Sequence, residues 1–166
     1  MPLEIERKFL LAALPSDWPV PFVDSHLVQA YLVPRDKRTT SERVRTRIPT
    51  DGGPCVYTHT KKVRVSDGVH EEDEREVSKA SYNRLLKRAD PAMVPISKVR
   101  RVFDWAGQTF ELDVFSGPHT GLIVMEVELP SEDTPVTLPP WLNITREVTT
   151  ERDFTNAAMA RKGRWP

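Results

Sequence analysis

Residues 41–48 read Ser41-Glu42-Arg43-Val44-Arg45-Thr46-Arg47-Ile48. Arginine recurs at every second position, with Val44 and Ile48 in the opposite phase. Successive side chains of a β-strand point to opposite faces, so this spacing puts Arg43, Arg45 and Arg47 on one face and the apolar residues on the other. The same period runs through the chain. Glu4, Glu6 and Lys8 share a face opposite Leu3 and Ile5; Lys98 and Arg100 share another. Glu111 and Asp113 oppose Phe110, Leu112 and Val114, and Glu126 and Glu128 oppose Ile123, Met125, Val127 and Leu129.

Around these segments the pattern predicts further strands at 26–33 and 55–62, with turns at Asp51-Gly52-Gly53 and Ser66-Asp67-Gly68. Residues 70–77 (HEEDEREV) are too acidic for propensity to decide between the end of a hairpin and the start of a helix. Residues 78–89 predict a helix: Tyr82, Leu85, Leu86 and Ala89 have helical spacing, and Ser78 or Ser81 can cap its start. Strands are expected at about 96–103, 109–115 and 122–129, an irregular stretch around Pro135, Pro139 and Pro140, and a final helix at about 151–162. Many strands joined by hairpins, with a few helices outside, describe a mainly β, α+β fold: a curved antiparallel sheet or a closed barrel. With no repeat and no low-complexity linker, residues 1–166 read as one domain.

Composition narrows the function. Lysine plus arginine and aspartate plus glutamate number 24 each, so no dominant nucleic-acid or anionic-membrane surface is indicated. The single cysteine, Cys55, excludes an intrachain disulfide framework. No apolar run approaches the roughly 18 residues of a membrane span. The opening is acidic where a signal peptide is basic, and a cytoplasmic location is expected.

Taken one strand at a time, the charged faces are those of a half-buried sheet with one side in water. Taken together they are sorted by sign. If the apolar faces pack against external helices, the charged faces point inward and fill the barrel with both signs. Clustered carboxylates are costly to bury unless a cation offsets them. Hard oxygen ligands suit Mg²⁺ or Mn²⁺, and clustered lysine and arginine suit phosphoryl oxygens. That combination points to metal–polyphosphate chemistry.

Glu4-Ile5-Glu6-Arg7-Lys8 resembles the ExExK signature of the CYTH superfamily, the triphosphate tunnel metalloenzymes. The resemblance extends through most of the chain. Arg43 and Arg45, or equally Arg45 and Arg47, resemble the RxR strand; Thr60 and Lys62 resemble the TxK strand, with Lys61 turned outward. Glu72 and Glu74 resemble the following ExE pair, with Glu76 also in phase. Lys98 and Arg100 look like the KxR strand, Glu111 to Phe115 like E-x-D-x-F, and Glu126 and Glu128 like the late ExE strand. Pro140-Trp141, Glu147 to Thr149, and Asn156-Ala157 resemble the closing segments.

The resemblance implies an eight-stranded antiparallel barrel whose tunnel binds a triphosphate and Mg²⁺ or Mn²⁺. It implies phosphate binding by Lys8, Arg43, Arg45, Arg47, Lys62, Lys98 and Arg100, and metal binding by Glu4, Glu6, Glu111, Asp113, Glu126 and Glu128. Lys8, Glu72 and Glu74 are the implied catalytic groups, the two glutamates holding a second ion or orienting the attacking water. The expected reaction is hydrolysis of a triphosphate, most simply inorganic tripolyphosphate. Thiamine or nucleoside triphosphate hydrolysis, an adenylate cyclase of the same superfamily, and a polyphosphate-binding protein without turnover are the competing functions. The expected partner is a small molecule rather than nucleic acid or membrane, and a homodimer is compatible with the fold. His26, His59, His70 and His119 have no zinc-like spacing. Trp18, Trp105 and Trp141 are expected to cover an edge or tunnel mouth.

Overall fold

The computed structural model describes Met1–Pro166. Its strands are β1 (Leu3–Leu11), β2 (Val23–Tyr31), β3 (Ser41–Pro49), β4 (Val56–Ser66), β5 (Val69–Val77), β6 (Ile96–Trp105), β7 (Gln108–Phe115), β8 (Ile123–Glu128) and β9 (Ile144–Glu147). Helices α1 (Lys79–Leu86) and α2 (Asn156–Lys162) flank them. The first eight strands form an antiparallel barrel in the order β5-β4-β3-β2-β6-β7-β8-β1, closed by β1 pairing with β5. β1 is the hinge of that closure. Leu3–Ile5 pair with β5, while Phe9–Leu11 pair on the same edge with the short β9, a ninth strand absent from the sequence expectations.

Residues 70–77 resolve as strand. Lys62 lies directly opposite Glu72, and Lys61 opposite Asp73. Opposite charges on facing positions stabilise a strand pair that propensity alone would not favour. Helix α1 starts where expected, its N-cap Ser78 accepting from the Ser81 amide, and Tyr82 packs on Tyr57 with ring centroids 5.1 Å apart. It ends short of Ala89, which forms a β-bridge with Leu32. The expected terminal helix is broken at Thr155, whose extended backbone separates a 3-10 turn at Arg152–Phe154 from α2. Thr155 then caps α2 through its own hydroxyl, which accepts from the Ala158 amide.

Apolar residues collect in two places. Phe9, Phe103, Phe110, Leu112, Met125 and Val127 face outward from β1, β6, β7 and β8. Helices were expected to cover such faces, but here the covering comes from the proline-rich segments 12–22 and 130–143, with Trp18, Trp141, Val136 and Leu138 packed on the cluster. Proline suits this task because an extended chain lying flat on a sheet leaves fewer amides to satisfy. The second cluster lies inside one end of the barrel. Tyr31, Ile96, Phe115 and Val124 point inward there and meet Phe154, Met159 and Ala160. Fully buried His119 donates from Nε2 to the Met159 carbonyl at 2.8 Å and ties α2 into place. The barrel is thus stoppered at one end. No helix is long and apolar enough to cross a membrane.

Closure depends on a close backbone approach. Gly68 adopts φ +74°, its carbonyl accepts from the Glu6 amide at 2.9 Å, and an added Cβ would stand 2.6 Å from the Glu6 carbonyl oxygen. Gly68→Ala is expected to lower unfolding free energy by about 2 kcal/mol or more, from strain and forced separation. Denaturant unfolding measures it; an unchanged midpoint would refute the close-packed seam.

Candidate active site

The open part of the barrel holds a cavity of about 580 Å³, and only two of its 23 lining residues are hydrophobic. Pleat and register explain this. Glu6 faces Glu128 and Lys8 faces Glu126 across β1–β8; Glu126 faces Glu111 across β7–β8; Arg43 faces Thr60, and Thr60 faces Glu74. Each pair shares the inner face.

Twelve of the expected site residues line the cavity: Glu4, Glu6, Lys8, Arg43, Arg45, Lys62, Glu72, Glu74, Arg100, Glu111, Glu126 and Glu128. Three do not. Arg47 shares the face of Arg43 and Arg45 but is exposed and lies off the cavity lining; Glu76, similarly in phase with Glu74, is also exposed. Lys98 and Asp113 are fully buried in the wall, paired with one another at 2.6 Å. Lys61 is absent from the lining, so Lys62 is the inward lysine. His59 bonds Glu42 at 2.8 Å in a cluster with Arg88.

The lining also includes His70, Tyr31, Ser41 and the start of α2 at Asn156 and Ala157. His70 had no assigned role, yet its signal was present: it continues the two-residue spacing of Glu72 and Glu74. It lies opposite Glu4 and also lines a side cavity of about 290 Å³. Burial, then Lys62, Lys8 and Arg64, push its pKa down to about 4, so the ring is neutral at pH 7.

Every inner carboxylate except Glu128 has a basic neighbour within 4 Å, but at β1 and β8 the carboxylates crowd and share those neighbours. Lys62 bridges Glu4 and Glu72, standing 2.9 Å from the latter. Lys8 lies 3.5 Å from Glu126 and 3.9 Å from Glu6. Glu74 takes Arg45 at 3.2 Å and the Thr60 hydroxyl at 2.8 Å, with Arg43 at 3.8 Å. Arg43 and Arg45 each keep a buried Nε–H without a partner. Burial and then the Glu126 charge push Glu6 up to about 7. Glu126 moves the other way, because Lys8, Arg100 and Lys98 overcome the opposing effect of burial.

Glu6 is therefore a buried carboxylate whose charge is incompletely balanced, beside further carboxylates of the hard oxygen type that Mg²⁺ and Mn²⁺ prefer. The donor chemistry fits a divalent ion. The arrangement is not closed around one, since no three His, Cys, Asp or Glu side chains converge as they stand; Lys8 and Lys62 occupy the positions between them.

No protein-family profile matches the chain. The inorganic triphosphatase of Nitrosomonas europaea is 30% identical over 162 residues, covering 95% of this chain and 96% of that one. This chain belongs to the CYTH superfamily of triphosphate tunnel metalloenzymes. The inorganic triphosphatase of Acetivibrio thermocellus is 32% identical over 119 residues, 71% of each chain. The crystal structure of the inorganic triphosphatase NE1496 superposes with a TM-score of 0.60 at 30% identity, covering 97% of this chain and 96% of that one. The CYTH tunnel accounts for the inward charges, and membership of the family supports a hydrolase acting on a triphosphate.

A carboxylate with a raised folded-state pKa binds its proton more tightly in the native state. Between its ordinary value of 4.5 and about 7, Glu6 therefore lowers stability as pH rises. Glu6→Gln removes this effect. In metal-free buffer the stability of Glu6→Gln relative to the parent should increase from pH 5 to pH 7 and level off above it. Paired denaturant titrations across that range check the sign; a flat difference would refute the raised pKa.

Proposed function

We propose that this chain hydrolyses inorganic tripolyphosphate to pyrophosphate and phosphate, with Mg²⁺ or Mn²⁺ as cofactor. The observation that carries the reading is the cavity lining: five basic side chains, Lys8, Arg43, Arg45, Lys62 and Arg100, with Tyr31 as the sole Phe, Tyr or Trp. A triphosphate needs charge neutralisation along its length, and arginine forks and lysine ammonium groups supply it. A nucleobase or thiazolium ring would need an apolar or aromatic platform, and this lining offers only Tyr31, which is packed into the stopper cluster. The naming of both relatives as inorganic triphosphatases supports the same substrate.

In this reading Arg43 and Arg45 bind phosphate oxygens from β3, using the N–H groups that lack protein partners. Lys62 and Arg100 bind from the flanking walls. Lys8 stands between Glu6 and Glu126, where its ammonium can neutralise charge developing on the bridging oxygen as the phosphoanhydride bond breaks. Glu4, Glu6, Glu126 and Glu128 would hold the ion, with Glu111 at their edge. A bound Mg²⁺ or Mn²⁺ supplies charge neutralisation and a more acidic water. Glu72 and Glu74 orient the attacking water from β5, held in place by Lys62, and by Arg45 and Thr60, respectively. Water adds to the terminal phosphorus, the phosphoanhydride bond breaks, and pyrophosphate leaves.

With tripolyphosphate and Mn²⁺, phosphate and pyrophosphate should appear in equal amounts. EDTA should abolish the reaction, and Glu4→Gln should slow it by about 100-fold or more, the scale for loss of one preorganised electrostatic group. Cyclic AMP from ATP would replace this reading with a cyclase. Tight tripolyphosphate binding without products would make the chain a polyphosphate-binding protein.

A further inference from the structure

The wall beneath Arg100 carries a group that the proposed chemistry leaves unused. The Asp113 side chain is wholly buried. Arg100 donates from Nε to its Oδ1 at 2.7 Å and from Nη2 to its Oδ2 at 2.8 Å. Lys98 donates from Nζ to the same Oδ2 at 2.6 Å. Both carboxylate oxygens are thus committed to cations inside the wall. The Lys98 ammonium lies 5.1 Å from the Phe115 ring centroid and is itself wholly buried. Of the three side chains, Arg100 alone reaches the cavity. Its Nη1 pairs with Glu111, and its Nη2, already in the fork, lies 3.9 Å from Glu126.

We propose that Asp113 is a positioning residue and not a metal ligand: with Lys98 beneath it, it forms a rigid buried seat that fixes the guanidinium plane of Arg100 and presents its Nη1 edge to a phosphoryl group, which would take it over from Glu111. Three features make the case. A forked Arg–carboxylate pair constrains both distance and plane, which a single contact does not. Two cations share the one buried carboxylate, so Asp113 does not by itself neutralise Arg100, and Arg100 is the only one of the three that can turn from Glu111 to a ligand. A metal ion could reach Asp113 only by displacing both a fork and a buried ammonium, which would leave two uncompensated cations in the wall. By the same geometry Lys98 acts from beneath Arg100 and does not touch substrate.

This inference rests on reading the cavity as a triphosphate site, and the test separates the two. Mn²⁺ binding to the full chain without substrate is followed by electron paramagnetic resonance for the parent and Asp113→Asn. Tripolyphosphate turnover is measured for Asp113→Asn, Arg100→Ala and the double variant. The expected result is Mn²⁺ affinity within about twofold of the parent and a kcat/KM loss of about 100-fold, the scale of a misplaced binding group. Most of that loss should fall on KM, and adding Asp113→Asn to Arg100→Ala should cost almost nothing further, because Asp113 acts through Arg100. A tenfold or larger loss of Mn²⁺ affinity, or losses that multiply in the double variant, would overturn the proposal. If melting shows that Asp113→Asn does not fold, the Lys98→Met/Asp113→Leu pair removes the seat without stranding a buried ammonium, and the same outcomes apply. A parent protein that binds Mn²⁺ but neither binds nor cleaves tripolyphosphate would sink the functional reading instead. The Mn²⁺ titration would still decide whether Asp113 is a ligand.

Discussion

Charges of both signs cannot be kept inside a protein without partners, and the architecture follows from that constraint. Removing an isolated carboxylate or ammonium from water costs several kcal/mol even after relaxation. A closed antiparallel barrel offers a solution, because every inner position has a cross-strand neighbour on each side and no edge is left open. Lys62 between Glu4 and Glu72, and Asp113 between Lys98 and Arg100, show the compensation at work. The β1–β5 seam is what makes it available, since without closure Glu4 on β1 would lose Lys62 on β4.

The apolar residues then have only two places to go, and both shape access to the cavity. Outside, the aromatic face of β6 to β8 is sealed by proline-rich chain, with Arg101 lying 4.6 Å from the Trp18 ring centroid and 3.7 Å from that of Phe22 while bonding Asp24. Inside, the cluster around Tyr31, Phe115 and Met159 closes one end with α2. What remains is a polar chamber whose lining also includes Gln108, Thr109 and Thr134. Its size and its scarcity of apolar surface suit a compact, highly charged ligand better than one carrying a ring system.

Compensation by lysine has a consequence for metal binding. Lys8 and Lys62 stand between the carboxylates that an ion would draw together, and Glu6 carries the residual imbalance. Ion and anion are then expected to enter as mutually supporting charges. Under the proposed function an ion would relieve the carboxylates, and the lysines released from them would turn to phosphate. Coupling of this kind is the usual accompaniment of sites whose ligands must shed protons or partners before they coordinate.

The two-residue period of Arg43 and Arg45, of Glu4, Glu6 and Lys8, and of Glu126 and Glu128 determined that these side chains share faces, because strand pleating allows nothing else. Together with the ExExK resemblance it determined the barrel and most of the cavity lining. Period alone has no endpoint. It could not say that Arg47 and Glu76 fall beyond the chamber while Arg43 and Glu74 fall within it, since that depends on where the barrel's open end lies. It could not decide strand over helix for residues 70–77, where facing lysines on β4 outweigh local propensity. Nor could it tell that Asp113 serves Arg100, because a carboxylate in sequence looks the same whether it faces an ion or a guanidinium. The sequence by itself determined which side chains share a face, a local consequence of backbone geometry. Only the tertiary structure decided which of those meet, because contact across strands is set by register, closure and the stopper at the barrel's end.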